Sequence, residues 1–213
     1  MKSVQFGDVQ LYEHDLQTLS RGQWINDTVI EFIYEDLELN IFPKDPKIHF
    51  LRPGIAHLIP QILDPTCLGV NVTDCEVVFI PVNNNSGIKS GGSHWSLIVY
   101  LRSSNEMIHW DSNSPMNNCV VSEAFIRSFE VVLGVSGIKM INGNCIQQTN
   151  GLLLLNIGYD CGMHLICMSE ILGSRYLKNA SLKDPISSQD LDSQLVEDRR
   201  RQLYSRIQSL LCS

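Results

Sequence analysis

The chain has 213 residues, 44% of them hydrophobic and 18% charged, which bounds it to one ordinary globular domain with a sizeable core over about residues 6–211. A formal net charge of −7 argues against a nucleic-acid partner, and no apolar run approaches the length of a membrane span. The opening MKSVQFGDVQ carries no apolar segment of the secretory kind, and seven cysteines without regular spacing read as reduced thiols of the cytosol or nucleus.

In chain order, residues 26–39, NDTVIEFIYEDLEL, set Val29, Ile30, Phe32, Ile33 and Leu37 on one helical face, with Asn26 or Asp27 as N-cap. Residues 76–82, EVVFIPV, read as a strand that Pro81 ends, and NNNSGIKSGGS (83–93) as a loop. HWSLIVYL (94–101) and EMIHWD (106–111) read as two strands joined by an SSN turn, a hairpin. EAFIRSFEVVL (123–133) is helical and stops at Gly134. Residues 161–172 predict a buried helix, and 191–211 an amphipathic one. This mixed order predicts an α+β fold rather than regular βαβ repetition.

Three residues carry candidate chemistry. Cys161, in GYDCG, falls at the mouth of the buried helix, where the positive end of the macrodipole favours a thiolate. Gly162 beside it would let a substrate backbone approach closely. A thiolate needs a base, and His94 opens a strand just after a Gly-Gly loop. Asp111 ends the next strand, so the hairpin makes it a neighbour of His94 that could hold the imidazole's tautomer and support its charge. The plain alternative is a strand-end histidine, a turn aspartate and a core cysteine with no common purpose. A second pattern, Cys161-x-x-His164-x-x-Cys167, could suggest zinc, but a structural zinc needs a fourth ligand and none is evident. No metal and no organic cofactor is expected.

The segments GGSHWSLIVYL, HWDSNS and QQTN…GYDCGMHLI, with QWINDTVIEF near the N-terminus, together resemble the sentrin/SUMO-specific protease family, the adenain-like cysteine proteases acting on ubiquitin-like modifiers. The compact length and the PVNNNSG…GGSHWSLIVYL stretch are most similar to its deneddylase branch, which removes the Rub/Nedd modifier. The resemblance implies an adenain-like fold and a monomer whose partner is a ubiquitin-like modifier. His94 would be the base, Asp111 its orienting carboxylate and Cys161 the nucleophile. Trp95 would roof a narrow tunnel for the modifier's Gly-Gly tail, with Trp24 and Asp27 near the modifier-binding surface. A SUMO-specific protease and a catalytically impaired modifier-binding protein stand as alternatives.

The family's oxyanion glutamine lies six residues before the nucleophile, where this chain has Leu155. Removing GLLLLNI (151–157) would bring Gln148 to that spacing, so QQTN and GYDCG read as two halves of one loop parted by a seven-residue insertion. The insert could loop out and leave Gln148 in place, could displace it, or could be a splice variant or gene-model error. Displacement predicts a poor protease in which Gln148 matters little until residues 151–157 are deleted.

Overall fold

A computed structural model of the protein describes residues 2–42, 46–85, 91–114, 116–117, 120–148 and 158–212. It opens on an antiparallel hairpin, β1 (Ser3–Phe6) and β2 (Val9–Tyr12), followed directly by a short helix, α1 (Glu13–Thr18). Helix α2 (Asp27–Asp36) then starts where its cap dictates: the Asn26 side chain accepts a hydrogen bond from the Val29 N–H at 3.1 Å. Val29, Ile30, Phe32 and Ile33 are all buried, as their helical spacing predicts.

A five-stranded mixed sheet organises the rest, in the order β3 (Ile48–Phe50), β4 (Val77–Asn83), β5 (Trp95–Leu101), β6 (Glu106–Trp110), β7 (Lys139–Asn142). Helix α3 (Pro53–Leu58) follows β3, and α4 (Glu123–Leu133) connects β6 to β7. The two outer pairings are parallel and the two inner ones antiparallel. The long helices α5 (Cys161–Leu177) and α6 (Ser193–Cys212) complete the chain.

Period-2 alternation sorts the sheet into two faces, each with its own core. Phe79, Leu97, Val99, Ile108 and Trp110 pack with residues of α2, α5 and α6. Val78, Ile80, Ile98, Tyr100 and Met107 pack with Ala56 of α3 and with Phe125 and Phe129 of α4. Burying both faces explains why β4 and β5 read as continuous apolar runs.

Pro81 does not end β4, which runs on to Asn83 between two neighbours. The Phe79 carbonyl accepts from Leu51 N–H on the β3 side, so two residues later the imino nitrogen of Pro81 faces that same side. β3 has already ended there at Phe50, so no ladder donor is lost. Pro81 therefore occupies what is locally a sheet edge.

Candidate active site

The hairpin places a base and a carboxylate together. With Leu97 opposite Trp110, His94 just before β5 and Asp111 just after β6 come side by side at one sheet end. The His94 Nε2 lies 2.6 Å from Asp111 Oδ1, and both side chains are almost fully buried. Asp111 also accepts the Asn113 N–H at 2.9 Å and the Asn117 N–H at 3.2 Å. Burial alone would push its carboxyl up, but the His94 contact and these two amides hold it below the ordinary carboxylate value.

The backbone of His94 is seated by the asparagine run that precedes it in sequence. Asn84 Oδ1 accepts the N–H groups of both Ser93, at 2.7 Å, and His94, at 3.1 Å. Gly92 makes this possible: its φ is +89° and a Cβ there would stand 1.9 Å from Asn83 Oδ1. A stretch that composition reads only as loop therefore holds the site's base.

Cys161 is the first residue of α5 and is 1% exposed, at the positive end of a 17-residue helix. Its sulfur is one of the groups that favour a charged His94 ring; since Asp111 takes Nε2, Nδ1 is the nitrogen left to face it. Burial opposes charge on His94, but the hydrogen bonds to Asp111 and Cys161 outweigh it and lift the imidazole to about 9. These contacts favour the charged form of His94, which stands beside a carboxylate.

Gly162 serves a purpose other than the sequence suggests. A Cβ at Gly162 would sit 2.4 Å from Ile25 Cγ1 and 3.5 Å from Trp95 Cδ1. The space over this glycine is filled by the protein's own Ile25 and is not open to a substrate backbone. The glycine lets the loop before α2 close onto the start of α5.

A groove of about 410 Å³ runs over Cys161 and His94. It is lined by Trp24 to Asp27 with Pro53, Gly54 and His57, and by Asn83, Asn85 and Gly91 to Trp95. Trp24 is 47% exposed and donates from Nε1 to the Gly158 carbonyl at 3.3 Å; Trp95 is half-buried. The structure thus gathers five of the seven predicted site residues, Trp24, Asp27, His94, Trp95 and Cys161, along one groove, with Asp111 behind His94.

Gln148 does not line the groove. Its backbone N–H donates to the Ser112 carbonyl at 2.8 Å, which holds it next to Asp111. Neither atom of its buried carboxamide has a hydrogen-bond partner among the described residues. Its neighbour Gln147 is fully committed, donating to the Asp111 carbonyl at 3.0 Å and accepting the Ser114 N–H at 2.9 Å. The insertion 151–157 lies outside the described residues.

The zinc pattern has no counterpart, since no group of three or more His, Cys, Asp or Glu among the described residues could hold a metal. Burial pushes the His164 imidazole down to about 4 and the Cys167 thiol well up, as for helix packing groups. Sequence reasoning missed Asn84, Asn117 and the buried Arg200 on α6, whose Nη2 lies 2.7 Å from Asp160 Oδ1. The Asn113 contact was readable: Asp-x-Asn after a strand is the pattern of an Asx turn.

The Ulp1 protease family, C-terminal catalytic domain, matches residues 23–208. The chain is similar to sentrin-specific protease 8 of Homo sapiens, 29% identical over 183 residues, covering 82% of each chain. It is also similar to NEDD8-specific protease 1 of Arabidopsis thaliana, 29% identical over 178 residues, covering 80% of this chain and 75% of that one. The C-terminal Ulp1 protease domain solved in complex with Smt3, the yeast ortholog of SUMO, shares the fold, with a TM-score of 0.66 at 21% identity over 99% of this chain and 89% of that one. With nearly its whole length matched by the family and an α+β fold in common with its solved members, the chain belongs to the Ulp1 protease family of cysteine peptidases.

Proposed function

We propose that this protein cleaves after the C-terminal Gly-Gly of a ubiquitin-like modifier, of the NEDD8/Rub type, from precursors and conjugates. The observation that carries the reading is the buried His94, 2.6 Å from Asp111 and lining one groove with Cys161, which stands at a helix mouth, and with Trp24 and Trp95. The relatives named NEDD8-specific proteases favour that modifier over SUMO. The likeness to a Smt3-bound protease, at 21% identity, speaks for the fold alone.

In this reading the Cys161 thiolate attacks the carbonyl carbon of the last glycine, and charge moves to its oxygen. The oxyanion is held by backbone N–H at the start of α5; Gln148, next to Asp111 and outside the groove lining, is the second donor this reading assigns, since its amide hydrogens are not otherwise spent. His94 gives its proton to the departing amine, leaving a thioester. It then takes a proton from water, which attacks the thioester and releases the modifier's carboxylate and the Cys161 thiolate. Asp111 stays ionised throughout and keeps the ring in place. Trp24 and Trp95 confine the groove to a thin chain, which a Gly-Gly tail satisfies. No cofactor takes part. The six described cysteines are free thiols, which supports a cytosolic or nuclear location, and the acidic chain is expected to act as a monomer without nucleic acid.

Fluorogenic C-terminal amides of NEDD8 and of SUMO test the proposal directly. The NEDD8 substrate should turn over at least tenfold faster in kcat/KM, and Cys161→Ala should abolish hydrolysis while retaining modifier binding. Faster SUMO turnover would overturn the choice of modifier. Binding without hydrolysis by the parent chain would make it a modifier-binding protein instead.

A further inference from the structure

Arg200 is the largest buried charged side chain among the described residues, and the proposed reaction makes no use of it. It projects from α6 and is 1% exposed. Its guanidinium donates to Asp160 Oδ1 at 2.7 Å and to the Tyr159 carbonyl at 3.3 Å, the two residues just before Cys161. From its other terminal nitrogen it donates to the Thr18 carbonyl at 3.3 Å and the Gln23 carbonyl at 3.1 Å, the latter just before Trp24. The Tyr159 ring lies 5.7 Å from the guanidinium carbon. One buried cation is thus joined both to the segment that presents the nucleophile and to the segment leading into the groove residues Trp24 to Asp27. A charge in this setting is costly unless paired, and Asp160, also 1% exposed, is the carboxylate that pairs it.

The converse matters for the sulfur. Asp160 is adjacent to Cys161 in the chain, and an uncompensated carboxylate there would oppose a thiolate. The other titratable groups around Cys161 are His94 before β5 with Asp111 behind it, His164 one turn along α5, and Asp27 and His57 in the groove lining. Of these, His164 donates its backbone N–H to the Asp160 carbonyl at 2.8 Å, but burial holds its imidazole uncharged, so the fixed cation on the Asp160 carboxylate is Arg200. We propose that Arg200 is a positioning residue for the thiol: it neutralises Asp160 and ties the residues before Cys161 to the segment leading into Trp24. This rests on Cys161 being the nucleophile.

The test is the pH midpoint of Cys161 alkylation by iodoacetamide, followed by peptide mass spectrometry so that the other cysteines do not contribute. Arg200→Gln removes the cation set against Asp160 and should raise the midpoint by about one unit, with roughly a tenfold loss of kcat/KM at neutral pH. Asp160→Asn leaves Arg200 in excess and should lower the midpoint. Arg200→Lys, which keeps the charge, should hold it near the parent value. Opposite shifts from the two neutralising variants are not produced by general loosening of the fold. Shifts of the same sign, or no shift in either, would overturn the proposal. If Arg200→Gln does not fold, Asp160→Asn and Arg200→Lys still decide, since an unmoved midpoint in Asp160→Asn refutes the charge role. A parent midpoint no different from that of an exposed thiol would instead refute the nucleophile reading, and this proposal with it.

Discussion

The His94 imidazole is the residue on which the site's pH behaviour turns. Its folded value, about 9, lies above the ordinary 6.5, so the charged ring contributes stability fully below about 6.5 and loses it as pH rises through about 9. The same proton is the one delivered to the leaving amine, so kcat/KM should fall on an alkaline limb near 9. Asp111→Asn removes the anion that supports this charge and should move the limb to lower pH while cutting kcat; a pH profile of both forms checks this, and an unmoved limb would detach Asp111 from His94's role. Gln148 gives a second prediction at this scale. Its backbone is anchored to Ser112 ahead of the insertion, so the structure holds the near side of the loop whatever follows. Gln148→Ala should therefore cost about a hundred- to a thousandfold in kcat in the full chain, as removal of an oxyanion donor does elsewhere, and as much in a chain lacking residues 151–157. A loss confined to the deleted form would favour displacement of Gln148 by the insert.

Among the elements, the start of α5 is where packing and catalysis meet. Gly162 has no room for a methyl group because Ile25 lies over it. Gly162→Ala should destabilise the protein and lower activity, since the Ile25 segment lines the groove. In an Ile25→Ala background the clash is gone and alanine's better helix propensity remains, so the same change should be neutral or stabilising by up to about 1 kcal/mol. Thermal melts of the four forms measure the coupling, and additive effects would refute the contact. The elements legible in the sequence were those with a period long enough to read: α2, β4, the β5–β6 hairpin, α4, α5 and α6. Because hairpin register converts spacing into adjacency, the amino-acid order alone pairs His94 with Asp111. The first hairpin, α1, β3, α3 and β7 were not legible, being at most six residues long and owing their state to neighbours. β7 is mostly exposed and takes its strand form from parallel pairing with β6. Arg200 and Asp160, 40 positions apart, carry no local signal at all.

At the scale of the whole molecule, the last helix closes onto the first elements. Val196, Arg200, Leu203 and Ile207 form one buried stripe along α6 at spacings of four, three and four. Arg206 pairs with Asp36 at the end of α2, and Arg199 with Glu170 on α5, so α6 is fixed to both sequence-distant helices. The stripe separates two jobs on one helix: the aliphatic positions supply packing, and Arg200 reaches the segment before Cys161. Leu203 is 0% exposed, and a cavity in its place should cost about 2–5 kcal/mol. For a chain of this size that corresponds to a fall in Tm of roughly 5–15 °C. Leu203→Ala should therefore melt well below the parent in calorimetry, yet keep kcat at 25 °C within about twofold and leave the alkylation midpoint of Cys161 in place, because no reacting group touches that side chain. An unchanged Tm would mean that α6 does not close the core, and a collapse of kcat in the folded variant would mean that the packing of α6, and not Arg200 alone, governs the geometry at Cys161.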